Sequence, residues 1–415
     1  MHSFLSYLLS IYLLIFSAAS SFLPSNLLYT QESPTAETEA QTPSQDANAS
    51  ADENALGVSV TAPGAVLMEA TTGAVIFEKD SKTARHPASI TKIMTLILIF
   101  EALEKGSIHL TDTVTVSEHA ASMGGSQVFL EAGETQDVET MIKCISIASA
   151  NDACVAMAEF ICGSEEAFVE EMNAKAKSLG MNNTHFVNCC GLDADGHMTS
   201  AYDVALMSRE LIIHYPKIHD YCTIWMDTMT HVTAKGSKEF GLNNTNKLIR
   251  QYEYATGLKT GSTSLAKFCV SATAEKNGMK LIAVIMGADD PKHRFADAIA
   301  LLNSGFSKCK IYTDEHNKKL SALPVKKGTL NTVQVEFKNP FQYLSTNGED
   351  FSAIQKEISV PEHVTAPVKK GDKIGEAVYQ MGSEKIGSVD IIASEDIPKA
   401  GFSDYIKEIF LRYFS

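Results

Sequence analysis

The run from Ile93 to Leu103 is apolar on nearly every side. A helix of that kind has no face left for water, so the rest of the chain must fold around it. It is too short to cross a bilayer. At its mouth stands Pro87-Ala88-Ser89-Ile90-Thr91-Lys92. Proline near the first turn of a helix costs no hydrogen bond, because that N–H has no helical partner anyway. Ser89 and Lys92 lie at i and i+3, which on a helix brings a hydroxyl and an amine to one face, within reach of each other.

The elements around this helix are readable from pattern. Ala65–Glu69 and Ala74–Phe77 read as strands joined through Thr71-Thr72-Gly73. Residues 111–175 alternate helical segments with glycine-containing loops. After Gly257 the chain turns strand-like, in Phe268–Thr273 and Leu281–Met286, with Asn277-Gly278 as a hairpin signal between them. Asp289-Asp290 before Pro291 reads as a turn, and Asp297–Phe306 as a closing helix. The fold class expected is therefore α+β, an antiparallel sheet with a helical cluster, over residues 57–312. Beyond a boundary near 312–325, short alternating strands such as Thr332–Phe337 and Ser388–Ile392 predict a small all-β domain over 313–400.

The two ends differ from the middle. Phe4–Phe16 is apolar and Ser17-Ala18-Ala19-Ser20 is small, which reads as an export signal over residues 1–20; an uncleaved N-terminal anchor is the alternative. Residues 21–56 read as a solvated linker, because 31–56 are rich in Glu, Thr, Ser, Ala and Asn and hold no Lys or Arg. In 401–415, Phe402, Tyr405, Ile406, Ile409, Phe410 and Tyr413 share one helical face, with Asp404, Lys407, Glu408 and Arg412 on the other. That is an aromatic amphipathic helix, either an in-plane membrane anchor or a helix docked on the β domain.

Net charge is −15 with no basic cluster, which argues against a nucleic-acid partner. The eight cysteines contain no zinc-finger spacing and read mostly as buried small hydrophobes. His185, His197, His219 and His231 form no metal pattern, so no metal or other cofactor is expected.

Two more polar clusters follow the Ser89 turn in order, Ser149-Ala150-Asn151 and Lys259-Thr260-Gly261. A serine hydroxyl is a poor nucleophile without a base. A lysine serves as that base when desolvation or a second cation lowers its pKa. Lys92 opens a buried helix and Lys259 is the candidate second cation. Ser149 is placed to relay a proton, and Asn151 to donate to a substrate amide carbonyl. Gly261, on a strand-like Lys259–Thr263, would let an extended substrate approach the backbone. The N–H groups of Ser89 and Ser262 would form an oxyanion hole. Each motif alone is weak; all three in this order point to an active-site serine enzyme without a catalytic histidine.

On these motifs the chain resembles the low-molecular-weight penicillin-binding proteins, specifically serine-type D-alanyl-D-alanine carboxypeptidases of the S11 peptidase type. The likeness runs over about residues 57–400. It extends to Ala65–Glu69 with Thr72-Gly73, to His86–Thr95, to Gly191-Leu192-Asp193 with Ser200–Asp203, and to Gly257–Thr263. The resemblance implies a β-lactamase/transpeptidase-like domain, a C-terminal β domain and a terminal anchor. It implies Ser89 as the acylated nucleophile, Lys92 as proton acceptor, Ser149 and Asn151 as the second motif, and Lys259 to Thr263 as the substrate-binding strand. Arg294 is a candidate for the substrate's terminal carboxylate. The partners implied are peptidoglycan pentapeptide stems, β-lactams and a membrane surface, with the protein exported to the outer face of the cytoplasmic membrane or the cell wall. The chain departs from relatives at Ala150, where many have glycine, at Ser262, where many have histidine, and at Asn244–Lys247, where some carry an arginine. A β-lactamase and a non-catalytic envelope protein are the competing readings. The first needs a glutamate after the second motif, and Glu165-Glu166 and Glu170-Glu171 lie there.

Overall fold

The computed structural model describes residues 56–233, 236–316, 319–406 and 410. The residue 1–20 signal and almost all of the linker lie outside these residues, as do Ile409 and Tyr413 of the terminal helix.

A five-stranded antiparallel sheet organises the first part of the chain. Its strands are β1 (Gly64–Glu69), β2 (Val75–Lys79), β3 (Ala255–Thr263), β4 (Lys267–Lys276) and β5 (Met279–Ala288), in the order β2-β1-β5-β4-β3. Successive side chains on a strand face opposite ways. In β1, Val66 and Met68 therefore enter one core while Ala65 and Leu67 enter another. Ile282, Val284 and Met286 of β5 likewise oppose Leu281, Ala283 and Ile285. Both faces are covered, which explains why these strands are apolar throughout rather than alternating. The β4–β5 turn falls on Asn277 and Gly278, both with positive φ, as such a tight hairpin requires.

The first core holds α1 (Lys92–Glu104), α2 (Asn151–Cys162) and α3 (Ala201–His214). Every residue of α1 from Lys92 to Phe100 is buried. The enclosed helix required by its all-round apolarity is thus found. The second core packs α4 (Pro291–Lys308) on the opposite face of the sheet. The closing helix begins six residues before the expected Asp297. Asp290 is not a simple turn residue: its carboxylate caps the helix by accepting from the Lys292 N–H at 2.6 Å, and Pro291 takes the first turn. Arg294 consequently sits inside the helix and is buried.

The β-rich region starts at Lys310–Asp314, which pairs with Phe341–Ser345, slightly before the expected boundary at 313. A four-stranded sheet runs Val335–Phe337, Glu384–Ala393, Lys373–Met381, Ile354–Ser359. The single strand expected over Thr332–Phe337 is two. Val333 pairs with Leu323, whereas Val335 pairs with Ala393 in a different sheet.

Candidate active site

The site forms where the mouth of α1, the start of α2, the loop 188–193 and the edge strand β3 meet. Ser89 stands in a 3-10 turn, Ala88–Thr91, that continues directly into α1. Lys92 Nζ lies 3.2 Å from Ser89 Oγ. Lys92 is fully buried, and its Nζ also donates to Asn151 Oδ1 and to the Cys190 carbonyl, each at 2.6 Å. A buried amine left without acceptors would cost about 1–3 kcal/mol. An amine donating to these two oxygens turns its remaining tetrahedral position toward Ser89 Oγ, where a lone pair can take the hydroxyl proton.

Ser149 arrives by an irregular route. A π-helical turn, Cys144–Ala148, breaks the preceding helix, and Ser149 follows with φ 61° and ψ 35°. Both features are energetically unfavourable and concentrate at functional positions. Together they aim Ser149 Oγ at Lys259 Nζ, 2.8 Å away. Lys259 is buried on β3, and its Nζ also donates to the Thr260 carbonyl at 3.1 Å. Burial first, and then the neighbouring Lys92, hold the Lys259 amine well below the usual lysine range. Ala150 adopts φ −64° and ψ 121°, an ordinary extended conformation, so a side chain is accommodated in the middle of this motif.

Asn151 differs from its expected role. Its Oδ1 holds Lys92, and its Nδ2 donates to the Gly124 carbonyl at 2.7 Å. At 3% exposure the amide is packed inside, bonded to Lys92 and Gly124 rather than standing free for a substrate carbonyl. Gly261 also has a more local purpose than expected. A Cβ there would lie 2.9 Å from Ser89 N and 3.0 Å from both Ile90 N and the Pro87 carbonyl. Only glycine lets β3 touch the turn that carries Ser89. Thr260 Oγ1 donates to Thr245 Oγ1 at 3.1 Å, Ser262 is exposed, and Thr263 Oγ1 donates to Asp193 Oδ1 at 2.8 Å.

Arg294 approaches the same strand from α4. Its Nη1 donates to the Gly261 and Cys269 carbonyls at 3.1 and 3.2 Å, and Phe268 and Phe295 lie against the guanidinium. Through Nη1 it braces β3 and β4, while its buried Nε has no hydrogen-bond partner. Asn244, at the stretch where some relatives carry an arginine, faces inward and donates to the Cys222 and Ile224 carbonyls.

Four contributors to the site carried no readable sequence signal. The Cys190 carbonyl is a backbone group placed by its loop. The Asp152 carboxylate accepts from the Val128 and Leu130 N–H groups, each at 3.1 Å, and so secures the segment that follows Gly124. His197 accepts from the Val187 N–H at 2.9 Å through Nδ1, so its Nε2 carries the proton donated to Thr91 Oγ1 at 2.8 Å. Asn188 orders the loop around Cys190. All eight cysteines are free thiols. Among the described residues no group of three or more His, Cys, Asp or Glu side chains is arranged to hold a metal ion.

The sheet, the enclosed α1 and the serine–lysine pair at its mouth define an active-site-serine hydrolase of the transpeptidase type, with a separate β-rich C-terminal part. The family model for D-alanyl-D-alanine carboxypeptidase matches residues 47–290, and the model for the C-terminal domain of penicillin-binding protein 5 matches 306–399. The chain belongs to the D-alanyl-D-alanine carboxypeptidase family. It is 45% identical to the carboxypeptidase DacF of Bacillus subtilis over 347 residues, covering 83% of this chain and 88% of that protein. It is 32% identical to DacC of Escherichia coli, covering 83% and 86%. Among solved structures, penicillin binding protein 5 of Haemophilus influenzae aligns with a TM-score of 0.69 at 30% identity, covering 82% of this chain and 99% of that one.

Proposed function

We propose that this chain is a serine-type D-alanyl-D-alanine carboxypeptidase that removes the terminal D-alanine from peptidoglycan stem peptides. The observation that carries the reading is the Lys92 amine, buried and bonded to two fixed oxygens, with Ser89 Oγ as its third neighbour. Lys92 takes the Ser89 proton as Oγ attacks the penultimate D-alanine carbonyl. The developing oxyanion is met by the N–H groups of Ser89 and Ser262. Ser149, bonded to Lys259, passes a proton to the leaving nitrogen, and D-alanine departs. Water then hydrolyses the acyl-enzyme. A β-lactam acylates the same serine and stays bound.

Residues 57–312 act as the catalytic part and 313–400 as the accessory β part in this reading. The terminal helix is its membrane contact. Phe402 is 82% exposed and Phe410 61%, and Tyr405 and Ile406 are exposed too, which favours an in-plane anchor over docking on the β part. No helix among the described residues is long and apolar enough to cross a membrane. Export to the outer face of the cytoplasmic membrane or to the cell wall follows from the substrate class.

A β-lactamase reading finds little support. Glu165 Oε1 is bonded to the Cys189 N–H at 3.0 Å, and Glu166, Glu170 and Glu171 lie along one helix, Glu165–Ser178. The deciding experiment measures D-alanine release from a D-Ala-D-Ala peptide, together with penicillin adduct formation. Ser89→Ala is expected to lose both, by a factor on the order of a thousand or more. Equal release by wild type and Ser89→Ala, or rapid turnover of the penicillin, overturns the reading.

A further inference from the structure

The Cys190 carbonyl that holds Lys92 lies in a loop with no helix or strand of its own. A carbonyl in such a loop is free to rotate with the peptide plane unless something fixes it. Here one side chain does so. Asn188 Oδ1 accepts from the N–H groups of Gly191 at 2.7 Å, Leu192 at 3.2 Å and Cys190 at 3.3 Å. Asn188 Nδ2 returns to the Leu192 carbonyl at 2.9 Å. Three successive N–H groups converge on one oxygen. The carbonyls of Cys189 and Cys190, on the opposite sides of those peptide planes, are thereby turned outward toward α1. There the Cys190 carbonyl accepts from Lys92 Nζ at 2.6 Å, and the Cys189 carbonyl accepts from Thr95 Oγ1 at 2.5 Å.

The loop is also held on either side of these two carbonyls. Gly191 has φ +91°, and a Cβ there would lie 1.9 Å from the carbonyl oxygen of Ala88, the residue before Ser89. The chain therefore lies directly on the nucleophile's turn. Beyond it, Asp193 Oδ1 accepts from Thr263 Oγ1 at 2.8 Å, which ties the far end to β3. Before the two carbonyls, the Cys189 N–H donates to Glu165 Oε1 at 3.0 Å. Between that bond and Gly191, the planes that carry the Cys189 and Cys190 carbonyls have their N–H groups on the Asn188 oxygen.

We propose that Asn188 is a positioning residue for the acylation step: its side-chain oxygen sets the Cys190 carbonyl, and that carbonyl sets the Lys92 amine against Ser89. This rests on the reading of Lys92 as the base for Ser89. Asn188 reaches the reaction only through the carbonyl and the amine, so its loss lowers the rate of acylation and leaves substrate affinity largely intact. A displacement of the base of around 1 Å costs about a hundredfold in rate, so a loss of about ten- to a hundredfold is expected.

The test uses the full-length chain, with a D-Ala-D-Ala peptide and a fluorescent penicillin. Asn188→Ala should lower kcat and the penicillin acylation rate by that factor with KM within about threefold of wild type. Asn188→Asp keeps an acceptor oxygen at the same place and should regain most of the lost rate, whereas Asn188→Leu, which fills the space without an acceptor, should stay as slow as Asn188→Ala; a merely space-filling role predicts recovery in both. A wild-type acylation rate in Asn188→Ala, a rise in KM without a fall in kcat, or an Asn188→Asp variant as slow as Asn188→Ala overturns the proposal. If Asn188→Ala does not fold, Asn188→Leu takes its place, and a wild-type acylation rate in it refutes the proposal. Failure of the wild-type protein itself to acylate would instead sink the carboxypeptidase reading, so the two failures are distinguishable.

Discussion

His197 gives this enzyme a built-in loss of stability in acid. The ring is buried against Phe186, and Nδ1 accepts the Val187 N–H while Nε2–H donates to Thr91 Oγ1. Protonation would set a second N–H against the Val187 N–H. Burial, foremost, together with the neighbouring His185 and His86, lowers the imidazole from its ordinary 6.5 to about 4. The sign follows from proton uptake. Below pH 6.5 the unfolded chain binds a proton here and the folded chain does not, so stability present above 6.5 is lost as pH falls toward 4. At about 1.36 kcal/mol per pH unit, the window between 6.5 and 4 corresponds to roughly 3 kcal/mol. Thr91 belongs to the turn that presents Ser89, so the loss should be felt at the site as well as globally. The assay is urea unfolding of wild type and His197→Gln from pH 7.5 to 4, with penicillin acylation followed in parallel. His197→Gln should be less stable at neutral pH but show a shallower decline, with the two curves converging by about 3 kcal/mol. Parallel curves would refute the assignment of a neutral, strained-on-protonation His197.

Asn151→Ala removes one of the two fixed acceptors of Lys92, and acylation should fall by about a hundredfold with intact folding; an unchanged rate would show that Asn151 does not position the base. Arg294→Met leaves the Gly261 and Cys269 carbonyls short of a donor, and thermal unfolding should report a loss of about 1–3 kcal/mol. A large rise in KM without that loss would return Arg294 to carboxylate binding. Gly261→Ala should slow acylation severely, because its Cβ has backbone atoms at 3.0 Å or less and they cannot yield as a side chain would. Deleting residues 401–415 should move the protein from the membrane to the soluble fraction with activity retained; persistence in the membrane fraction would end the anchor proposal.

The parts of the fold legible in advance were those dictated by local pattern. The all-round apolar run from Ile93 could only be an enclosed helix, and Asn277-Gly278 could only be a tight turn between two buried strands. The closing helix reads as shorter in the sequence because its first turn, Pro291–Arg294, is polar. The amphipathic signal begins only at Phe295, whereas the start is set by the Asp290 cap. Thr332–Phe337 reads as one strand because each half has strand-like residues. Only the partners, Leu323 for one half and Ala393 for the other, divide it.

At the site, the sequence by itself determined which functional groups are present and that two of them, Ser89 and Lys92, meet. Their spacing of three residues is a local distance, set by helix geometry alone. Tertiary structure decided everything that depends on distant segments. It brought Lys259 to Ser149 across 110 positions, turned the Asn151 amide inward, and used Arg294 to brace a strand. It also recruited the Cys190 carbonyl, a group every residue possesses and no residue type announces. Side-chain identity is written in the sequence, but the direction of a backbone carbonyl is fixed only when Asn188, Gly191 and Ala88 are packed together. The enclosed helix that constrains this chain most thus specifies where the serine and lysine stand, and the loop folded against it specifies how the lysine is aimed.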